Sequence, residues 1–326
     1  MNDPLKKYRC QFGLWNNNRK LERERQTYAA KFRRLGLNIP GNDDLCSELK
    51  KSFPQMRPKP AGGLRIIAVY HHYNWENYSL KPALEKFGTV RYYDWFDEFN
   101  HQDKDWRKTG KARMNRALLE KFSRWIAEDR ADVIFMYVSG ELVEPDTLSA
   151  LREFGIPMIN LALNDKEHFV GKIRSGRAFG SRDICRYFDL CWTSTEDALI
   201  KYLVEGTRPI YLPEGANPEI HKPYDLEKTI DVSFVGQCYG NRAAVINELL
   251  RRGIAVEAYG HGWPRGALPV EDMVKLYSQS KINLGFGGVE GHPDTFCLKG
   301  RDFEIPMSGG LYLTEDHPEL SNAFRI

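Results

Sequence analysis

From Leu64 onward, short apolar runs alternate with stretches whose apolar residues recur at helical spacing. The runs at 64–70, 90–93, 132–138, 157–163 and 190–194 predict buried strands. The stretches at 79–87, 112–129, 145–154 and 196–204 predict helices between them, with Gly88 as a stop and Ser194 as a cap. A turn-rich crossing follows, Pro209 to Pro218, and the alternation restarts. Strands are predicted at 232–236, 255–260, 282–286 and 311–314, with helices at 241–252 and 270–280 and a short one opening near Lys299. Strands alternating with helices predict mainly parallel sheets covered on both faces. The class is therefore α/β, with two Rossmann-like units joined near residues 213–226. Three segments are expected: 1–62, a basic helical extension and linker; 63–212, one Rossmann-like domain; and 213–326, a second.

The opening segment differs from the rest. Asn16 to Gly36 is rich in Arg and Lys with a thin apolar stripe (Leu21, Tyr28, Phe32), as in an exposed or partner-facing helix. A Pro- and Gly-rich linker follows at 54–63. The net charge of the whole chain is only +3, and basic residues are not interleaved with aromatics in one patch, which argues against a nucleic-acid partner. No apolar run approaches the roughly 20 residues that span a bilayer. Residues 1–7 have no apolar core of the signal-peptide kind, so a cytoplasmic protein is expected. Six scattered cysteines, none in a C-x-x-C pair, suggest plain thiols and no zinc. Nothing in the chain fixes an oligomeric state.

The chemistry-bearing residues cluster at predicted strand ends, where ligands of open parallel sheets bind. Gly236 to Arg242 joins a strand, a glycine turn and a helix opening, which together make an anion cradle, with Arg242 able to grip a phosphate. The alternative is an ordinary strand-to-helix turn. Gly260 and His261, with Gly262 and Trp263, end the next strand; Trp263 or His261 can stack on a base or simply pack. The loop at 285–294 carries Glu290, His292 and Asp294. Lys299, Gly300, Arg301 and Glu304 open the last helix, placing cations and free N–H groups beside a carboxylate able to accept from vicinal hydroxyls. In the first unit, His71 and His72 follow the first strand, where an acceptor is expected. Spacing fixes no third ligand, so no metal is expected there. Asp165 follows the fourth strand and suits a general base, a hydroxyl anchor or a helix cap.

Residues 191–196 and 211–223 resemble the strand–Ser–helix and Pro/Gly hinge of GT-B, GT4-type glycosyltransferases. Residues 231–242, 260–263 and 299–315 are similar to the CgeB-like (spore-maturation-type) branch of that group. The resemblance runs from about Leu64 to the end and leaves the first sixty residues uncovered. It implies two Rossmann-like domains facing across a cleft, with a nucleotide-sugar donor in the latter and an acceptor in the former. It also implies metal-independent transfer with no cofactor. Glu304 matches the second Glu of the family's E-x7-E element, which holds the ribose. The first falls at Phe296, so Asp294 is expected to stand in. The His found after the fourth strand in that family corresponds to Asn164 or Asp165. The resemblance further implies a closing helix returning to the first domain; the sequence stops at Ile326, so a shortened donor domain is expected.

The expected activity is transfer of a sugar, hexosyltransferase-type, from a nucleotide-diphosphate donor to an unknown acceptor (glycan, protein or small molecule). Arg242, Asp165 and Asp294 are the catalytic candidates. Gly236, Arg242, Gly260, His261, Lys299, Gly300, Arg301, Glu304, His71 and His72 are the binding candidates. The alternatives are a non-catalytic nucleotide-sugar-binding subunit and a GT-B epimerase or phosphorylase.

Overall fold

The computed structural model describes residues 4–324 except 74 and 290, with side chains from Phe12 onward apart from that of Pro293. The chain forms two compact units, one of residues 25–212 and one of residues 213–326 together with the chain up to Glu24. The opening segment is thus divided between the two units. It holds α1 (Pro4–Arg34) and α2 (Asn42–Ser52).

In the first unit, β1 (Leu64–Val69), β2 (Gly88–Tyr93), β3 (Val133–Met136), β4 (Met158–Ala162), β7 (Leu190–Thr193) and β8 (Pro209–Tyr211) form one parallel sheet. Its order is β2-β1-β3-β4-β7-β8. A hairpin of β5 (Ile173–Arg174) and β6 (Arg177–Ala178) stands apart. Ile66, Ile67, Ala68 and Val69 are buried in succession, as a strand covered on both faces requires. Helices α3 (Lys81–Glu85), α4 (Lys111–Glu128), α5 (Pro145–Arg152), α6 (Asp165–His168) and α7 (Glu196–Val204) complete the unit. Met114, Leu118 and Phe122, at i, i+4 and i+8 of α4, enter the larger core with Ile67, Ile134 and Met136. Ile66, Tyr70 and Phe135 build the core on the opposite face.

The second unit has a parallel sheet of β9 (Ile230–Val235), β10 (Val256–Tyr259), β11 (Ser280–Leu284) and β14 (Tyr312–Leu313), in the order β10-β9-β11-β14. A hairpin of β12 (Gly288–Val289) and β13 (His292–Phe296) occupies most of the stretch expected to be a loop. Its helices are α8 (Arg242–Arg251), α9 (Val270–Gln279), α10 (Gly300–Met307) and α11 (Pro318–Ala323). Val232, Phe234, Ile246, Ala258, Leu284 and Phe286 form its core. The α/β class with two Rossmann-like units is present as the alternation predicts. Each sheet has a switch point, between β1 and β3 in the first and between β9 and β11 in the second. No helix among the described residues is long and apolar enough to cross a membrane.

Candidate functional site

The switch point of the second unit gathers four of the expected groups. The chain leaves β9 at Gly236, whose N–H donates to the Tyr259 carbonyl at 2.9 Å, and turns into α8 at Arg242. Gly260 leaves β10 against it, at φ +122, and a methyl on Gly260 would run into the Gly236 carbonyl. The indole of Trp263 donates to that carbonyl at 2.8 Å, so this ring holds the turn together. His261 is exposed, and its carbonyl accepts from Cys238 N at 2.8 Å. Arg301, in the first turn of α10, reaches back until its Nη1 lies 2.9 Å from where a Cβ on Gly236 would stand. Only glycine leaves room for that approach.

Two guanidinium groups therefore approach one ring. Arg242 and Arg301 each lie 5.5 Å from the ring centre of Phe234. Arg242 is buried; it donates to the Gln237 carbonyl and to the Tyr239 hydroxyl, both at 2.9 Å, and stacks on the Tyr239 ring at 3.8 Å. Burial, and then the like charge of Arg301, push its pKa down to about 10. Arg301 Nε is buried with no hydrogen-bond partner. The two cations disfavour each other, and one of them has an unused donor. The start of α10 adds its N–H dipoles.

Beside the arginines lies an acidic pair. Glu304 and Glu214 both approach Gly300, to 3.1 and 3.4 Å of where a Cβ there would sit. Burial raises the Glu304 pKa to about 7; Arg301 opposes the rise, and Glu214 and Asp302 add to it. Burial likewise raises that of Glu214 against the pull of Lys299. The backbone N–H of Lys299 donates to Asp302 at 2.6 Å, which caps α10. His221 Nε2 is 3.7 Å from Glu304, beyond hydrogen-bond reach. Burial lowers the His221 pKa despite the Asn217 amide. Glu214, Tyr239 and Phe234 belong to this site but not to the residues singled out by sequence. Glu214 lies inside the hinge motif, where its position next to a helix start is set only by the fold.

Asp294 is exposed on β13 and accepts from Asn18 Nδ2 of α1 at 2.7 Å. Glu290 lies outside the described residues. Asp165 in the first unit is 2 % exposed and accepts from Tyr202 at 2.8 Å and Thr193 at 3.0 Å. That corrects the general-base expectation, since a substrate hydroxyl does not reach a sealed carboxylate. Its role here is to tie α6 to β7 and α7.

Burial raises the Asp165 pKa to about 7, with Tyr202, Thr193 and Lys201 opposing. The unfolded chain releases this proton near 4 and the folded chain near 7. The folded state thus holds more protons between those values, and stability falls as pH rises across the window. Asp165→Asn is expected to flatten that fall by on the order of 2–4 kcal/mol. Urea denaturation at pH 5 and pH 8 measures it; an unchanged slope contradicts the assignment.

His71 and His72, after β1, do acquire a third neighbour, Asp94 just past β2. Their Nδ1 atoms lie 3.0 and 2.6 Å from its Oδ2. Ligand atoms of a tetrahedral ion stand roughly 3.3 Å apart, so these are hydrogen-bond separations. Asp94 is 4 % exposed. Burial alone favours its neutral form, but the Phe96 amide, His71 and the His72 amide outweigh that and hold its pKa below the ordinary value. Asp94 escaped the sequence reading, although its place at a strand end is the signal that marked His71.

Residues 242–326, from Arg242 to the last residue, match a family model described as glycosyl transferase-like. No curated protein matches the chain. Among solved structures, it is similar to the UDP-GlcNAc 2-epimerase of Methanocaldococcus jannaschii (10% identity, 80% of this chain and 86% of that one, TM-score 0.46). It is similar also to the UDP-GlcNAc 2-epimerase of Neisseria meningitidis bound to UDP-GlcNAc (10%, 77% and 82%, 0.45). A third likeness is to the lipopolysaccharide outer core galactosyltransferase WaaB in its apo form (12%, 71% and 76%, 0.41). With TM-scores below 0.5, the fold assignment rests on the strand order alone, and the one functional indication is the glycosyl transferase-like segment at 242–326.

Proposed function

We propose that the protein is a GT-B glycosyltransferase that binds a nucleotide-diphosphate sugar in the second unit and moves the sugar to an acceptor. The observation that carries this reading is the arginine pair on Phe234. Arg242 and Arg301 meet at a glycine turn on the sheet's switch point, and Arg301 Nε has nothing to donate to. A diphosphate supplies what this place lacks: two negative groups and acceptor oxygens in number. The glycosyl transferase-like match over the same residues supports it.

Breaking the bond between sugar and diphosphate builds charge on the departing phosphate. Fixed cations and N–H dipoles stabilise that charge where a metal does so in other enzymes. Lys299 adds a third cation, and Glu304 and Glu214 would accept from ribose or sugar hydroxyls. Transfer of a hexose, membership of the CgeB-like branch and a cytoplasmic location are part of the same proposal. The first two rest on the motifs at 231–242, 260–263 and 299–315.

Thermal-shift measurement against UDP, GDP, dTDP and CMP sugars tests the reading, since a ligand of the native state raises its melting point. At least one is expected to do so, and free nucleotide is expected to be released faster when a panel of hydroxyl acceptors is added. A melting point that no nucleotide sugar moves contradicts the proposal. Binding without turnover indicates a non-catalytic subunit. Acceptor-independent conversion of the sugar indicates an epimerase.

A further inference from the structure

Helix α1 presents a face that the groups described above do not use, within the part of the chain, up to Glu24, that belongs to the second unit. Phe12, Trp15, Arg19 and Arg23 stand at i, i+3, i+7 and i+11, which sets them in one stripe along the helix, with Lys20 beside it. Each of these side chains is exposed, Phe12 to 66% and Trp15 to 54%. The other side of the same turns packs: Leu14, Asn17, Asn18 and Leu21 are half-buried. Asn17 Nδ2 donates to the Gly291 carbonyl at 3.3 Å, and Asn18 Nδ2 to Asp294 at 2.7 Å. These bonds fix which way the helix is turned and leave the aromatic stripe in solvent.

An ordinary surface helix buries its apolar face; here two large rings stand on the outer one. Apolar residues exposed singly need no explanation, but these two form a patch, with ring centres 5.7 Å apart. The Arg19 guanidinium lies 5.2 Å from the centre of the Trp15 ring, so the patch passes directly into a cationic stretch. Of the acids in these turns, Glu24 is half-buried and Glu22 borders the stripe.

We propose that this stripe docks on an anionic lipid bilayer, with Phe12 and Trp15 entering the headgroup layer and Arg19 and Lys20 meeting lipid phosphates. Both kinds of residue define the partner. The cations require negative groups, and a guanidinium suits paired phosphate oxygens. The rings require an apolar boundary just beneath those groups, the level at which aromatic side chains settle in membranes. An acidic protein surface supplies the charge without the apolar layer. The chain as a whole carries only +3, so its bulk charge supplies little of the attraction. The inference does not depend on the transfer reading.

Cosedimentation of the full chain with vesicles tests it. Binding is expected to phosphatidylcholine vesicles containing phosphatidylglycerol and not to phosphatidylcholine alone, and it is expected to weaken as salt rises. Arg19→Ala and Lys20→Ala are each expected to weaken it about fivefold, and Phe12→Ser combined with Trp15→Ser roughly tenfold or more. Lipids brominated in the acyl chain are expected to quench a part of the tryptophan fluorescence that Trp15→Phe no longer shows. The substituted side chains are exposed, so the variants are expected to melt as the wild type does, which separates lost binding from unfolding.

No binding to the anionic vesicles, equal binding to both kinds, or binding indifferent to Phe12 and Trp15 overturns the proposal. Adsorption to soluble poly-glutamate without vesicle binding marks an acidic partner and overturns it as well. None of these substitutions touches the arginine pair, so nucleotide-sugar binding is expected to persist in every variant, and the two readings fail separately.

Discussion

Replacing Arg301 with alanine is expected to weaken nucleoside diphosphate binding about 10- to 150-fold, while the empty protein melts at a nearly unchanged temperature. A hydrogen bond to a charged group is worth about 1.5–3 kcal/mol, and each 1.4 kcal/mol is tenfold in affinity. Arg301 contributes its charge, and its Nε is buried without a partner. In the empty protein its charge acts against Arg242 but favours the Glu304 and Glu214 carboxylates, so its contributions there oppose each other. Affinity is therefore expected to fall far more than stability. Arg242→Ala differs, since Arg242 also holds Gln237 and Tyr239 and so supports the turn itself. Calorimetry paired with thermal unfolding separates the two variants. An Arg301→Ala protein that binds normally, or that loses stability as much as affinity, contradicts the assignment.

Gly260→Ala is expected to cost on the order of 2–4 kcal/mol of stability and to abolish nucleotide binding. At φ +122 an alanine is strained by about 1–3 kcal/mol, and its methyl would collide with the Gly236 carbonyl. Relief requires the Gly236 turn to move, and Arg301 and Trp263 both rest on that turn. Gly253→Ala is the control. Its φ is +79, but open space surrounds the added methyl. It is expected to lose about 1 kcal/mol and to bind normally. Denaturant unfolding and calorimetry on the two variants compare strain alone with strain plus collision. Equal behaviour would show that the contact between the two turns is unimportant.

Strands of the first sheet are legible because they are buried on both faces: Ile66 to Val69 and Ile134 to Met136 read as continuous apolar runs, whereas β9 is interrupted by the buried Ser233. β8 (Pro209–Tyr211) was not legible, since two prolines and a short length disguise an edge strand among turns. The β12–β13 hairpin reads as a loop in the sequence because its glycines break any two-residue alternation. The split of the opening segment follows from long-range contacts that no local pattern carries. Tyr28 is buried against Phe169 and bonds to Glu205 at 2.7 Å, whereas Asn17 and Asn18 bond to Gly291 and Asp294.

For the sites, the strand-end rule located Gly236, Arg242, Gly260 and His71. It also promoted Asp165, whose carboxylate turns inward to Thr193 and Tyr202. Whether a residue after a strand faces a ligand or the core depends on the direction of its side chain. That direction is fixed by partners far away in sequence, which is also why Asp94 and Glu214 were missed.

The central claim is that Arg242 and Arg301 together hold a diphosphate at the Gly236 turn. A crystal structure of the protein soaked with a nucleoside diphosphate measures this directly. The expected result is a phosphate oxygen within hydrogen-bond reach of Arg301 Nε, with Arg242 alongside. A fully occupied nucleotide bound away from Phe234, with Arg301 Nε still unpaired, would contradict it.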